Sequence, residues 1–270
     1  MIYLLLFLAN IFWALNVVVC KLNYTSFHPL FLVYLKILFS MIFMFVFIIF
    51  KKIKFKKTNI KDLLINSNLI NVINFIITFL ALKNISGNRF ALINCFSPLI
   101  IAFISRKDKL FLYSLFMSFG LFVSLHFKFL DIGMLMLLIA LIVYNLGNYR
   151  LKNLSDNIFV YNFYMFIVAF IELSIILLFI KEPLILKINI NYFLLFIFTS
   201  GFGYAFIQSV YYQAIKEIGV LKTSYYMAFN PLFTYIFSII FLDEKIDIFI
   251  VLGFVLIFGS SLLFLKNRSK

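Results

Sequence analysis

The sequence predicts an all-α integral membrane protein, with ten transmembrane helices arranged as two inverted repeats of five. Apolar runs of about 20 residues recur along the whole chain, and this is the length that crosses a hydrocarbon core of about 30 Å. Of the 270 residues, 65% are hydrophobic and 13% are charged, whereas soluble domains average about 25% charged residues. In addition, the two halves of the sequence match each other at a nearly constant offset.

The apolar runs set the ten predicted spans. Their bounds are 2–20, 30–50, 63–82, 88–105, 110–127, 132–150, 158–180, 191–214, 220–242 and 247–265. The runs are continuous rather than alternating, which excludes a transmembrane barrel. The first run lacks the basic leading segment and the small-residue cleavage site of a secretory signal, so we interpret it as a membrane helix.

The basic residues lie between the spans and predict the orientation of the chain. If the N-terminus is cytoplasmic, the inner connections carry 16 Lys and Arg residues and the outer connections carry seven. Cytoplasmic loops are enriched in these residues, so we expect both termini on the cytoplasmic side of the cell inner membrane. The net charge of +14 is therefore a topology signal and not a nucleic-acid-binding surface. The lysine run at 51–57 contributes most to this orientation signal, and the alternative is that it binds anionic lipid.

The internal repeat has an offset of 133 residues through most of each half. The corresponding residues are Lys83 and Lys216, Phe96 and Phe229, Pro98 and Pro231, and Gly120 and Gly253. Each repeat, predicted at 1–128 and 129–270, holds five spans. Five is odd, so the second repeat crosses the membrane upside down relative to the first. Inverted repeats of this kind place a substrate site near the midplane between the halves, which favours a carrier.

Several stretches resemble EamA-type members of the drug/metabolite transporter superfamily. They are IFWALN at 11–16, FSPLIIAFI at 96–104, FNPLFTYIFSIIFLDEK at 229–245 and DIFIVLGFVLIFGSSLLF at 247–264. Ala14 replaces the usual glycine of the first motif, and Asp243 precedes Glu244 where the family prefers glycine. The resemblance implies a ten-helix carrier of small metabolites, most often an exporter of amino acids or their derivatives. It also implies a central cavity lined by helices one, three, four, six, eight and nine.

Polar and aromatic side chains inside the spans are the candidate substrate-cavity residues, because a polar group facing lipid is costly. These candidates are Trp13, Asn16, Asn74, Asn94, Tyr144, Gln208, Tyr212, Tyr225 and Asn230. The alternative for each is a structural hydrogen bond between neighbouring helices.

Pro98 and Pro231 are predicted to kink helices four and nine, because proline frees a carbonyl one turn earlier. Asn94 and Asn230 accompany the two kinks, and we expect the kinks to shape the cavity. The alternative is a packing kink with local hydrogen bonds.

Lys36 and Glu172 are the two charged residues well inside predicted spans. They lie at similar depth, so an ion pair between them is one hypothesis and a proton-coupling role for Glu172 is another. Snorkelling to the interface is the third alternative for Lys36. Asp243 and Glu244, in the turn before the last helix, are expected to cap that helix.

The sequence contains no hydrolase, metalloprotease or phosphate-loop motif, and its two histidines and two cysteines lack ligand spacing. We therefore expect no catalytic residues, no metal and no cofactor. The expected partners are a small-molecule substrate and the lipid bilayer, without nucleic acid, and a homodimer is allowed. One alternative function is import of a nucleotide-like or cofactor metabolite. Another is a non-transporting membrane scaffold or lipid-handling protein.

Overall fold

A computed structural model describes residues 1–105, 119–120, 131–153, 157–227, 229–245 and 248–267. The described residues form helices and turns and contain no β-strand. One isolated antiparallel bridge joins Phe27 and Ile185. Seven helical segments of this part are long and apolar enough to cross a membrane. The chain is therefore a multi-pass α-helical membrane protein. The predicted span 110–127 lies outside the described residues.

The described residues of the first half of the chain contain six α-helices. They are α1 (Ile2–Leu22), α2 (Pro29–Phe50), α3 (Ile60–Ser67), α4 (Ile73–Leu82), α5 (Gly87–Asn94) and α6 (Ser97–Ile104). A π-helical segment, Asn68–Val72, joins α3 to α4, so these two helices form one continuous span, 60–82.

The second half contains seven described helices. They are α7 (Ile132–Arg150), α8 (Ile158–Leu177), α9 (Ile190–Ile197), α10 (Tyr204–Ile218), α11 (Val220–Met227), α12 (Asn230–Leu242) and α13 (Ile248–Asn267). A second π-helical segment, Phe198–Gly203, joins α9 to α10. Gly219 has a φ of 84° and makes the sharp turn between α10 and α11, a conformation that glycine adopts without steric cost.

Asparagine side chains start several of the helices. The side-chain oxygens of Asn59, Asn157 and Asn189 accept hydrogen bonds from backbone N–H groups at the starts of α3, α8 and α9. Asp131 and Ser86 do the same for α7 and α5. The first N–H groups of a helix lack acceptors within the helix, so these caps fix where each span begins.

Predicted spans four and nine are each divided into two helices. The break between α5 and α6 falls at Cys95 and Phe96, and α12 begins after Phe229. Pro98 and Pro231 are the second residues of α6 and α12. Proline has no N–H to donate, so it is tolerated in the first turn of a helix, where that donor would have no partner. The sequence predicts a kink within a continuous helix at each proline. The structure instead has a full interruption of the helix at both places.

Helix α1 lies near the centre of the bundle and packs against α10 and α12, while α2 packs on α8 and α4 packs on α7. Large apolar side chains cover the outside of the bundle. Phe50, Phe103, Ile132, Leu178 and Phe179 are each more than three quarters exposed. Because apolar surface costs about 25 cal/mol per Å² in water, this outside surface fits a lipid environment.

Candidate substrate cavity

A central cavity lies among α1, α2, α4, α5 and α7. We call this space the first compartment, and its cavity volume is about 40 Å³. Six polar or aromatic residues of its lining bear on the sequence predictions: Trp13, Asn16, Lys36, Asn74, Asn94 and Tyr144. Five of these six residues are sequence-predicted cavity residues, and the sixth is Lys36.

A second compartment of about 30 Å³ adjoins the first. The two compartments share Trp13, Asn94 and Tyr144 in their walls. Ser97 and Asn230 also line the second compartment, and each is the residue before a helix-breaking proline. The two helix interruptions therefore bring polar side chains from both halves of the chain to one space.

Gln208, Tyr212 and Tyr225 lie in the packed core and not in the walls of the two compartments. Each is at most 1% exposed. Gln208 donates from its side-chain nitrogen to the Tyr204 hydroxyl, and the Tyr212 ring packs edge-on against Tyr211 with centroids 6.3 Å apart. For these three residues the structure differs from the sequence expectation, because their side chains are packed in the core of the bundle.

Asn16 connects three helical segments through its side chain. Its Nδ2 donates to Ser200 Oγ at 2.9 Å and to Thr199 Oγ1 at 3.4 Å, both in the π-helical segment before α10. Its Oδ1 accepts a hydrogen bond from Lys36 Nζ at 2.6 Å. The amide is therefore held in one orientation, with its oxygen directed toward α2.

Lys36 is 5% exposed and lies among aromatic rings. Its Nζ is 4.3 Å from the centroid of the Tyr204 ring and 4.6 Å from that of Phe75. Ring faces attract cations at these distances. The snorkelling alternative is wrong, because this side chain is directed into the bundle.

Glu172 has a different partner from Lys36. Its Oε1 accepts a hydrogen bond from Asn68 Nδ2 at 2.9 Å. Both charged residues are in the described part of the chain, and they form no ion pair with each other. The hypothesis of a Lys36–Glu172 pair is therefore corrected: α2 and α8 do pack together, but the lysine binds Asn16 on α1 and the carboxylate binds Asn68.

The sequence analysis missed two polar lining residues of the first compartment, Cys20 and Thr78. Cys20 follows Asn16 by four residues, and its Sγ lies 3.9 Å from Asn16 Oδ1. Thr78 follows Asn74 by four residues and donates to its Oδ1 at 3.3 Å. Residues four apart lie on one face of a helix, so this spacing was the signal that could have revealed both.

A sequence model of the EamA-like transporter family matches residues 1–107 and 131–266. The chain belongs to the EamA-like transporter family. This family consists of membrane transporters of small molecules, not enzymes. The motifs that suggested the resemblance thus led to the right family.

A solved structure titled "Crystal structure of protein" has the same fold as this EamA-like chain. The TM-score is 0.75 at 15% sequence identity, and the match covers 100% of this chain and 98% of that chain. At this identity the similarity concerns the fold alone. No curated protein sequence matches the chain.

Several buried polar atoms of this EamA-like protein have no hydrogen-bond partner among the described residues. They include the hydroxyls of Tyr144 and Tyr212, Gln208 Oε1, Asn71 Nδ2 and both side-chain polar atoms of Asn148. Buried polar groups are nearly always bonded to protein or water. These groups belong to α7, α10 and the first π-helical segment, and they extend the polar character of the bundle interior beyond the second compartment.

Glu244, which the sequence analysis expects to cap the last helix, contacts another part of the chain. Glu244 Oε1 accepts a hydrogen bond from the Gly87 N–H at 2.7 Å, at the start of α5. Asp243 has a φ of 51° and ends α12. Lys21 Nζ donates to the Ile85 carbonyl in the same region. This end of the bundle is the predicted outer side, so the contact lies between the cavity and the outer surface.

A separate cavity of about 420 Å³ is lined mainly by phenylalanine and aliphatic side chains of α1, α2, α8 and α10. It contains Phe43, Phe47 and Phe202, whose outer faces belong to the exposed apolar surface. Its polar contribution comes from Ser209 and Gln213. A groove of this composition suits lipid chains, so the polar central cavity is the better candidate for a metabolite. Within the described residues, no group of three or more His, Cys, Asp or Glu side chains could hold a metal ion.

Proposed function

We propose that this EamA-like protein is a secondary transporter that moves a small metabolite, an amino acid or a derivative, across the cytoplasmic membrane by alternating access. The observation that carries this proposal is the central cavity between the two halves of the chain. Asn16, Asn74 and Asn94 come from the first half, and Tyr144 and Asn230 come from the second. A few polar side chains that converge from both halves inside an apolar bundle suit the recognition of a small ligand.

The proposal includes two inverted five-helix repeats, at 1–128 and 129–270, and ten spans in all. Three features support it. The sequence offset pairs Pro98 with Pro231, each half has a helix interruption next to that proline, and the third span of each half contains a π-helical segment. Irregular helices at corresponding positions of two repeats are the usual sign of a transporter binding site.

Both termini are proposed to lie in the cytoplasm, and export is proposed as the direction because it is the most common activity that the family resemblance implies. In this scheme one repeat rocks against the other around the cavity. The contact between Glu244 and Gly87 would then open and close with each cycle, because it joins the two halves on the predicted outer side.

A thermal-shift screen of the purified protein tests the proposal. The screen covers amino acids, nucleosides and cofactors, and we expect one or more amino acids or derivatives to raise the melting temperature. A ligand present at 100 times its Kd adds about 2.7 kcal/mol to the stability of the folded state. A shift with cofactors or nucleosides alone would favour the import alternative, and no shift in any class would contradict a metabolite carrier.

A further inference from the structure

Lys36 is the charged residue of the first compartment. Among the described lining residues of both compartments, it is the one cation, and no Asp or Glu is present. It comes from α2, a helix that the family resemblance did not place around the cavity. The compartment therefore carries a single positive charge without an opposing acid.

The partners of Lys36 satisfy the ammonium group only in part. An ammonium group has three N–H donors, and the hydrogen bond that the structure shows goes to Asn16 Oδ1 at 2.6 Å. Asn16 is neutral, and the nearby rings of Tyr204 and Phe75 attract the cation without neutralising it. A buried charge is unfavourable unless an opposite charge compensates it. The site is thus complementary to an anion that is not part of the described protein.

The surroundings of Lys36 are held rigidly. Asn16 is fixed by Ser200 and Thr199, and the Tyr204 hydroxyl donates to Asn71 Oδ1 at 3.0 Å. Asn16 and Tyr204, two of the groups around the ammonium, are therefore positioned before any ligand arrives. Preorganised donors bind their ligand with less loss of entropy.

We propose that Lys36 binds the carboxylate of the transported metabolite, and that the substrate carries one such anionic group. This inference rests on the proposed transport function and names its substrate class. One lysine matches one carboxylate, whereas a multiply charged phosphate ester would need further cations in the wall. Trp13 and Tyr144, at the junction of the two compartments, would contact the apolar or neutral remainder of the molecule.

The proposal excludes cationic substrates, because they would meet Lys36 without an acid to offset the repulsion. It also separates substrate binding from a purely structural role of the lysine. A structural lysine would contribute to folding in the same way whether or not the ligand carries a negative charge. A binding lysine discriminates between a carboxylate and a neutral group of the same shape.

The experiment compares matched pairs of probes on the purified full-length protein. L-leucine and L-phenylalanine are tested against L-leucinamide and L-phenylalaninamide, and phenylacetate and hexanoate against phenylacetamide and hexanamide. The protein variants are wild type, Lys36→Met, Lys36→Arg and, as the matched control, Lys181→Met in an exposed connection. Ligand-induced thermal shift gives the apparent affinity of each probe, and the melting temperature without ligand shows that each variant is folded.

We expect at least one carboxylate to shift wild type, Lys36→Arg and Lys181→Met, and its amide to shift none of them. Lys36→Met should weaken carboxylate binding by about ten- to a hundredfold, as expected for loss of a charge-assisted hydrogen bond. Equal binding of that carboxylate by Lys36→Met and wild type would overturn the proposal. Equal binding of a carboxylate and its amide by wild type would also overturn it.

A second variant covers the case in which Lys36→Met does not fold. Asn16→Asp places a carboxylate where Asn16 Oδ1 now accepts the lysine hydrogen bond, so the protein itself should occupy the anion site. We expect Asn16→Asp to fold and to lose carboxylate binding, and unchanged binding would overturn the proposal. If neutral or cationic metabolites shift wild type and carboxylates do not, this inference fails while the transport function stands. If no metabolite shifts the protein, both fail.

Discussion

Glu244 Oε1 accepts a hydrogen bond from the backbone N–H of Gly87 at 2.7 Å, across 157 positions of the chain. Gly87 is the first residue of α5, where the N–H groups have no acceptor within the helix and a negative charge is favourable. A Cβ at this glycine would collide with Ser238 Oγ on α12. The contact thus holds α5 and α12 close together at the predicted outer end of the cavity.

Removing the Glu244 side chain should loosen this end of the bundle. We expect Glu244→Ala to destabilise the protein by about 1.5–3 kcal/mol, the range for a hydrogen bond to a charged group. Glu244→Gln keeps an acceptor oxygen, so its cost should be about 0.5–1 kcal/mol, from the lost interaction with the helix dipole. Thermal unfolding of the purified variants measures both. Glu182→Ala is the control, because that side chain is 72% exposed. A loss of stability in Glu182→Ala as large as that in Glu244→Ala would contradict the role assigned to Glu244.

Trp13 should contribute directly to substrate affinity. Its ring packs edge-on against Tyr144, with centroids 5.7 Å apart, where the two compartments meet. We expect Trp13→Ala to weaken the apparent affinity for the transported metabolite on the order of tenfold, because an aromatic wall is lost. The neighbouring Phe12 packs against Phe202 and Phe206 instead. Phe12→Ala is therefore the matched control in the same transport assay, and equal losses of affinity in the two variants would refute a specific role for Trp13.

Pro231 should matter for transport more than for stability. Alanine at this position supplies an N–H that can bond to the Met227 carbonyl one turn earlier, so α11 and α12 can join into one helix. Joining them would move Asn230 away from the second compartment. We expect Pro231→Ala to lower the initial transport rate several-fold with an unchanged or higher melting temperature.

Pro29 provides the control for this prediction, since it also occupies the first turn of a helix, at the start of α2. It lies outside both compartments, so Pro29→Ala should transport at the wild-type rate. A wild-type rate in Pro231→Ala would show that the helix interruption has no role in transport.

The orientation of the chain can be checked with fusions to the C-terminus. The inner connections carry 16 Lys and Arg residues in the proposed topology and the outer connections seven, so the C-terminus should face the cytoplasm. We expect a C-terminal green fluorescent protein to be fluorescent and a C-terminal alkaline phosphatase to be inactive. Active alkaline phosphatase would reverse the topology and place the Glu244 contact on the inner side.

The sequence predicted the positions of most membrane helices, because about 20 apolar residues in succession have few alternatives in a bilayer. The predicted span 132–150 coincides with α7, and the predicted span 2–20 differs from α1 by two residues. The sequence did not predict that Pro98 and Pro231 separate two helices instead of bending one. That outcome depends on how the surrounding helices satisfy the freed backbone groups, which local sequence does not encode.

For the cavity, the cost of polar groups in lipid directed attention to Trp13, Asn16 and Tyr144, which line the first compartment. The same argument cannot distinguish a cavity wall from a buried hydrogen bond, and for that reason it also selected Gln208 and Tyr212. The partner of Lys36 was not predictable either. The choice between Asn16 and Glu172 depends on the rotation of α2 about its axis, which tertiary packing determines.

Counterflow in proteoliposomes tests the central claim most directly. Liposomes with the purified protein are loaded with a mixture of unlabelled amino acids and diluted into a radiolabelled mixture of the same amino acids. The account predicts transient accumulation of label that empty liposomes do not show and that Trp13→Ala reduces. Label uptake equal to that of empty liposomes, for amino acids and equally for nucleosides and cofactors, would contradict the claim that this protein carries a metabolite through the central cavity.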